Sequence, residues 1–187
     1  MHSLVSLAKQ SIETFIKDKE IISPPKDLPK EFLERKAGIF VTIEKNGNLR
    51  GCIGTYLPIR KNIAEEIIHN AIAAAIEDYR FGSVQEEELS SLSYTVYILS
   101  EPELVKNLKE LNPKKYGIIV KTMPITHPDG TDVVFNGHLP YKSGLLLPDL
   151  EGVDTIEKQI SIACQKGGID PLKEKILIYK FTVEKYQ

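Results

Sequence analysis

The dipeptide Asn46-Gly47 lies between two runs rich in strand-forming residues, GIFVTIEK at 38–45 and LRGCIGTY at 49–56. Asparagine and glycine both tolerate positive φ, which a two-residue hairpin turn requires, so this stretch is held to an antiparallel β-hairpin. The return strand has an unusual content. Arg50 and Cys52 stand among Gly51 and Gly54, where a structural strand carries bulky apolar side chains. The two-residue period aims Arg50 and Cys52 at one face, and the glycines leave room for another segment to approach.

Around the hairpin the apolar spacing changes. Leu4, Leu7, Ala8, Phe15 and Ile16 predict a helix over 3–17, ended by an extended connection through Pro24, Pro25 and Pro29, with a short helix near 31–35. Ile63, Ile67, Ala71 and Ala74 predict a helix from Asn62 to about Tyr79, with Asn62 and Glu65 as a capping-box pair. SYTVYILS at 93–100 and YGIIVKT at 116–122 read as strands, and DVVF at 132–135 and SGLLL at 143–147 as shorter ones. Asp154 and Glu157 open a helix carrying Ile156, Ile160, Ala163 and Cys164 on one face, which Gly167 and Gly168 stop. The run 175–184 reads as one closing strand. Intermixed helices and strands without a repeat give an α+β fold.

Composition narrows the function. The chain has 187 residues, a formal net charge of -2 and 27% charged residues, so it offers no general attraction to nucleic acid or anionic lipid. Two cysteines form neither a disulfide framework nor a four-ligand zinc site. With no leader-like N-terminus and no apolar run long enough to span a bilayer, a cytoplasmic location is expected. GxGxxG, P-loop, GxSxG and HExxH motifs are all absent, so no cofactor is expected.

LRGCIGT, EDYRF at 77–81, LSEPE at 99–103, GLLLP at 144–148 and ACQKGGI at 163–169 occur in that order. Together they resemble the AMMECR-type domain family over nearly the whole chain. The resemblance implies one domain over 1–187, an α+β fold of two unequal lobes with antiparallel sheets flanked by helices. It also implies protein A of the prokaryotic AmmeMemoRadiSam system, whose partners are a Memo-type protein and a radical S-adenosylmethionine enzyme. It brings no established reaction. Asp149 stands where the family usually carries Gln, and residues 122–142 resemble an insertion that contains His127 and His138.

Cys52 has two readings, a soft space-filler or a nucleophilic or redox thiol whose pKa Arg50 lowers. Arg50 is either an ion-pair partner or the binder of an anionic group. Asp78 and Arg80 form either an internal pair fixing the exit from their helix or, with Gly51 and Gly54, part of a substrate site. Glu101 is a weak general-base candidate beside a plain turn carboxylate, and Phe81 and Cys164 read as core. A metal site from His127 and His138 with Asp129 or Asp132 lacks recognisable ligand spacing. The leading expectation is an enzyme or enzyme subunit with a pocket between the lobes, walled by the hairpin. The alternative is a noncatalytic module docking a partner through the same motifs, with RNA binding a distant third.

Overall fold

The computed structural model describes residues 1–123 and 141–187, so the expected strand at 132–135, His127 and His138 lie outside the described residues. The chain forms two compact units, Met1–Glu101 with Glu184–Gln187, and Pro102–Val183.

In the first unit, helices α1 (Ser3–Asp18) and α2 (Lys30–Glu34) precede the hairpin strands β1 (Ile39–Lys45) and β2 (Asn48–Thr55), followed by α3 (Ile63–Ile76) and β3 (Leu92–Leu99). The turn takes the conformation its residues permit, with φ of 53° at Asn46 and 78° at Gly47. Strand order is β2-β1-β3-β8, where β8 is Val183–Tyr186, so β2 is an edge strand. Alternation divides the sheet cleanly. Ile39, Val41, Ile43, Val96 and Ile98 are buried and pack in one cluster with Leu4, Ile12, Ile67 and Ala71 of α1 and α3. Thr42, paired with both Cys52 and Thr95, and Phe40, paired with Gly54 and Tyr97, belong to the opposite face.

Three details differ from simple pattern reading. α3 ends at Ile76 rather than near Tyr79, because Asp78 turns away to bond the hairpin. Asn62 does accept from the Glu65 N–H, at 2.9 Å, but the Glu65 carboxylate reaches Lys61 rather than closing a reciprocal box. Glu66, only 1% exposed, accepts instead from Thr55 Oγ1 at 2.6 Å and from the Ile59 and Arg60 N–H groups at 2.9 and 2.8 Å. A buried carboxylate is tolerated there because each of these donors aims at it.

The second unit has strand order β4-β7-β5-β6, from Glu103–Leu104, Ile176–Phe181, Gly117–Thr122 and Ser143–Leu146 respectively. Helix α4 (Ile156–Gly167) packs its Ala163 and Cys164 in a cluster with Ile118, Val120 and Leu146. Its cap is Thr155, whose side chain accepts from Lys158 N–H, while Asp154 ion-pairs with Lys114 at 3.1 Å. Gly168, at φ 61°, supplies the left-handed stop. The expected closing strand is two strands, β7 and β8, that belong to different sheets. Among the described residues no helix is long and apolar enough to cross a membrane.

Candidate functional site

Register in the hairpin is reset by a bulge. Lys45 pairs with Asn48 and Glu44 with Leu49, but Ile43 pairs with Gly51, which leaves Arg50 as the extra residue. A bulge re-aims a side chain and breaks the strict alternation that would have placed Arg50 beside Cys52. Arg50 instead forms a fork with Glu88, Nε to Oε1 at 3.0 Å and Nη2 to Oε2 at 2.9 Å, and its Nη1 donates to the Gly82 carbonyl at 2.9 Å. The Arg50 guanidinium holds the Glu88 carboxyl down at about 2, helped by the Gln85 N–H and Lys45. All three Arg50 nitrogens are thus engaged inside the protein.

Gly51 follows the bulge, and a Cβ there would run into the Ala74 carbonyl of α3. Only glycine lets β2 lie that close to the helix backbone. Gly54 is tight for a different reason: a Cβ would meet the backbone and ring of Phe40 on the neighbouring strand. The two glycines therefore serve two contacts, not one shared approach.

At Cys52 the backbone N–H donates to Asp78 Oδ2 at 2.9 Å, and Arg80 Nη2 reaches the Cys52 carbonyl at 3.5 Å. Arg80 also grips Asp78 through Nε at 2.9 Å and Nη2 at 2.7 Å. The Asp78 side chain is 4% exposed, and Arg80, with the Cys52 N–H, keeps its carboxyl at about 2. Asp78 thereby covers an edge-strand donor that would otherwise stand open. Arg80 is different from Arg50. Its side chain is 43% exposed, its guanidinium lies over the half-buried Phe81 ring at 5.4 Å, and its Nη1 has no partner among the described residues. Phe81, expected in the core, is a platform, and Val84 fills the core position instead.

The Cys52 thiol is half-buried, with the Thr42 hydroxyl 3.3 Å from its Sγ. Thr42 is 9% exposed and Thr95, its neighbour on β3, 4%. Burial pushes the Tyr97 phenol upward, and the nearby Cys52 charge adds to that shift against a Thr42 hydrogen bond. The Asp78 contact raises the Arg80 guanidinium, again with a contribution from Cys52. Tyr97 and Arg80 are thus two groups near enough to feel a charge on this sulfur.

The structure brings Arg50, Gly51, Cys52, Gly54, Asp78 and Arg80 to one sheet edge. Glu101 is exposed beyond β3, and its carboxylate has no hydrogen bond to this cluster. Two grooves among the described residues, about 590 Å³ beside α1 and about 510 Å³ near Thr122 and Lys175, are not lined by Cys52. Among the described residues, no three His, Cys, Asp or Glu converge as metal ligands. Sequence reasoning missed Thr42 and Glu88. Without the bulge, the turn register pairs Thr42 with Gly51, and Glu88 is hidden in an acidic run that reads as solvated surface.

Comparison with known proteins places this arrangement in a wider group. A Thermotoga maritima protein is 45% identical over 187 residues, covering 100% of this chain and 98% of the relative. A Clostridium acetobutylicum protein is 42% identical over 184 residues, which is 98% of this chain but 35% of the relative. The crystal structure of an uncharacterized Pyrococcus horikoshii protein matches with a TM-score of 0.80 and 34% identity, covering 97% of this chain and 88% of that one. The AMMECR1 family model matches residues 5–186, and with these relatives it establishes that the chain belongs to the AMMECR1 family.

Proposed function

We propose that this domain is an enzyme or enzyme subunit in which Cys52 is the nucleophilic or redox thiol and Arg80 holds an anionic group of the substrate. One observation carries the reading: of the polar motif groups, Arg50 and Asp78 are consumed by internal bonds, whereas Arg80 keeps an open donor edge beside the Cys52 strand. A guanidinium already oriented by Asp78 loses little freedom on binding a carboxylate or phosphate. The Thr42 hydroxyl lies within hydrogen-bond reach of the sulfur. Arg50 is then architectural, tying Gly82 and Glu88 to the hairpin. The test is the pH profile of iodoacetamide alkylation in the native protein. Cys52 reacts much faster than buried Cys164, Arg80→Gln moves the Cys52 profile to higher pH, and Arg50→Gln lowers stability without moving it. Equal reactivity of the two thiols overturns the reading.

A second reading is a docking module that acts with a Memo-type protein and a radical S-adenosylmethionine enzyme. The Clostridium relative favours it, since the matched region occupies 35% of that chain and the rest is additional protein. Its test is binding to a purified Memo-type protein. Here Cys52→Ser preserves binding and Arg80→Glu abolishes it, while an Arg80→Glu variant that still binds excludes Arg80 from the contact.

A further inference from the structure

Along the outer edge of β2 the main chain is only partly covered. The Cys52 N–H points away from β1 to Asp78, and Arg80 Nη2 approaches the Cys52 carbonyl from the same side at 3.5 Å. Asp78 and Arg80 thus stand where a neighbouring strand would, one as acceptor and one as donor. The register continues unbroken from the Thr42–Cys52 pair to the Phe40–Gly54 pair, so the Gly54 N–H and C=O also point outward. Neither has a hydrogen-bond partner among the described residues, and Gly54 is half-buried rather than covered.

Position along this edge decides what fits. Asp78 sits at the Cys52 N–H, Arg80 at the Cys52 carbonyl, and the open Gly54 groups come next in the direction of β2. An added strand in the better-paired antiparallel arrangement runs the other way, so it reaches Arg80 with its carboxyl end. Its residue opposite Gly54 exchanges both main-chain hydrogen bonds there. Two residues further on, at about 3.3 Å per residue, a longer chain would have to place an N–H on the Cys52 carbonyl, where Arg80 already stands. The strand therefore stops one residue past the Gly54 pair. A chain that stops there ends in a carboxylate facing the Arg80 guanidinium, whose Nη1 has no partner among the described residues.

The surrounding charges permit this. Asp78 and Arg80 form a pair that is neutral as a whole, so directed donors rather than a net field take the carboxylate. Glu66 is committed to Thr55, Ile59 and Arg60, and Glu88 to Arg50 and Lys45. Glu44 lies at the turn end, opposite Leu49, and Glu77 is exposed, where solvent and salt screen it.

We propose that the β2 edge binds an extended peptide with a free carboxyl terminus, its penultimate residue paired with the Gly54 N–H and C=O and its terminal carboxylate on Arg80. This rests on the reading of Arg80 as the holder of an anionic group and makes the substrate class a carboxyl-terminal peptide. Recognition through main-chain groups tolerates varied side chains.

The probe is acetyl-Ala-Ala-Ala with a free carboxyl terminus, followed by amide chemical shifts of the native protein. Its controls are the carboxamide, the peptide N-methylated at its second alanine, and acetate. The acid produces saturable shifts confined to residues near 52–55 and 78–81, with the Gly54 N–H moving downfield. The carboxamide and the N-methyl peptide each bind about tenfold more weakly, and acetate leaves Gly54 unmoved. Arg80→Gln reduces the difference between acid and carboxamide to less than about twofold. Because Arg80 also holds Asp78, the ligand series on the unaltered protein carries the test if that variant fails to fold. Absence of saturable shifts overturns the proposal, as does equal binding of the carboxamide or of the N-methyl peptide, or acetate moving Gly54 as the peptide does. Slow alkylation of Cys52 beside carboxylate-dependent peptide binding sinks the thiol reading and leaves this site standing. Fast alkylation without peptide binding does the reverse.

Discussion

Both units seat a helix on an edge strand through a glycine, and they differ in what surrounds that contact. Gly51 of β2 lies against the Ala74 carbonyl of α3, and Gly144 of β6 lies against the Ala163 carbonyl of α4. Beyond the shared device the chemistry diverges. Cys164, one residue past Ala163, is buried in an aliphatic cluster where desolvation pushes its thiol up. Cys52, one residue past Gly51, has a threonine hydroxyl at its sulfur and a buried carboxylate on its N–H. The same packing solution thus accompanies a thiol buried among aliphatic side chains in one unit and a polar, hydrogen-bonded one in the other. A close glycine contact sets the helix position and leaves the neighbouring residue to be specialised.

The strongest way to break the shared part is to fill the glycines. Gly51→Val and Gly144→Val each force helix backbone away from a strand and cost about 3 kcal/mol, read from denaturant midpoints. A tolerated substitution at either position shows that its close approach is not needed.

Removing the carboxylate that distinguishes the first unit comes next. Asp78→Ala strips the Cys52 N–H and Arg80 of their acceptor and costs about 2 kcal/mol. In the second unit the exposed pair of Lys114 with Asp154 gives less than about 0.5 kcal/mol on Lys114→Ala, by the same measurement.

Acid sharpens the contrast. Glu88 and Asp78 titrate at about 2 in the folded protein, below unfolded values of about 4. Depressed carboxylates stabilise above their unfolded pKa and lose that contribution as pH falls toward the folded value. About 1.5 kcal/mol of the Glu88 share therefore disappears between pH 6 and pH 3. A melting-temperature series on Glu88→Gln tests this, because the variant starts lower and falls less steeply with acid.

The smallest effect separates the thiols. Cys164→Ser places a hydroxyl among Ile118, Val120 and Leu146 and costs about 1 kcal/mol, whereas Cys52→Ser, beside Thr42, costs less than about 0.5 kcal/mol. If Cys52→Ser proves the more damaging of the two, the sulfur on β2 is a packing group and the thiol reading fails.

Local patterning determined much of the fold. Asn46-Gly47 made the hairpin necessary, the 3.6-residue spacing located α1, α3 and α4, and the five ordered motifs identified the family. These features act between residues close in the chain, where backbone conformation and side-chain period suffice. Tertiary structure decided the rest. The bulge at Arg50 arises from pairing, so alternation counted along β2 could not show that the arginine serves Glu88, 38 positions away. The run 175–184 is strand-like enough to read as one closing strand, yet it divides between two sheets, because local patterning carries no information on which strand lies alongside. Asp78 and Arg80 read from sequence as an internal ion pair ahead of a site, and the structure shows the pair with the carboxylate saturated and the guanidinium open at one edge. Hydrogen-bond saturation is a property of three-dimensional proximity, and it is what distinguishes a charge already committed to the fold from one that can still take a ligand.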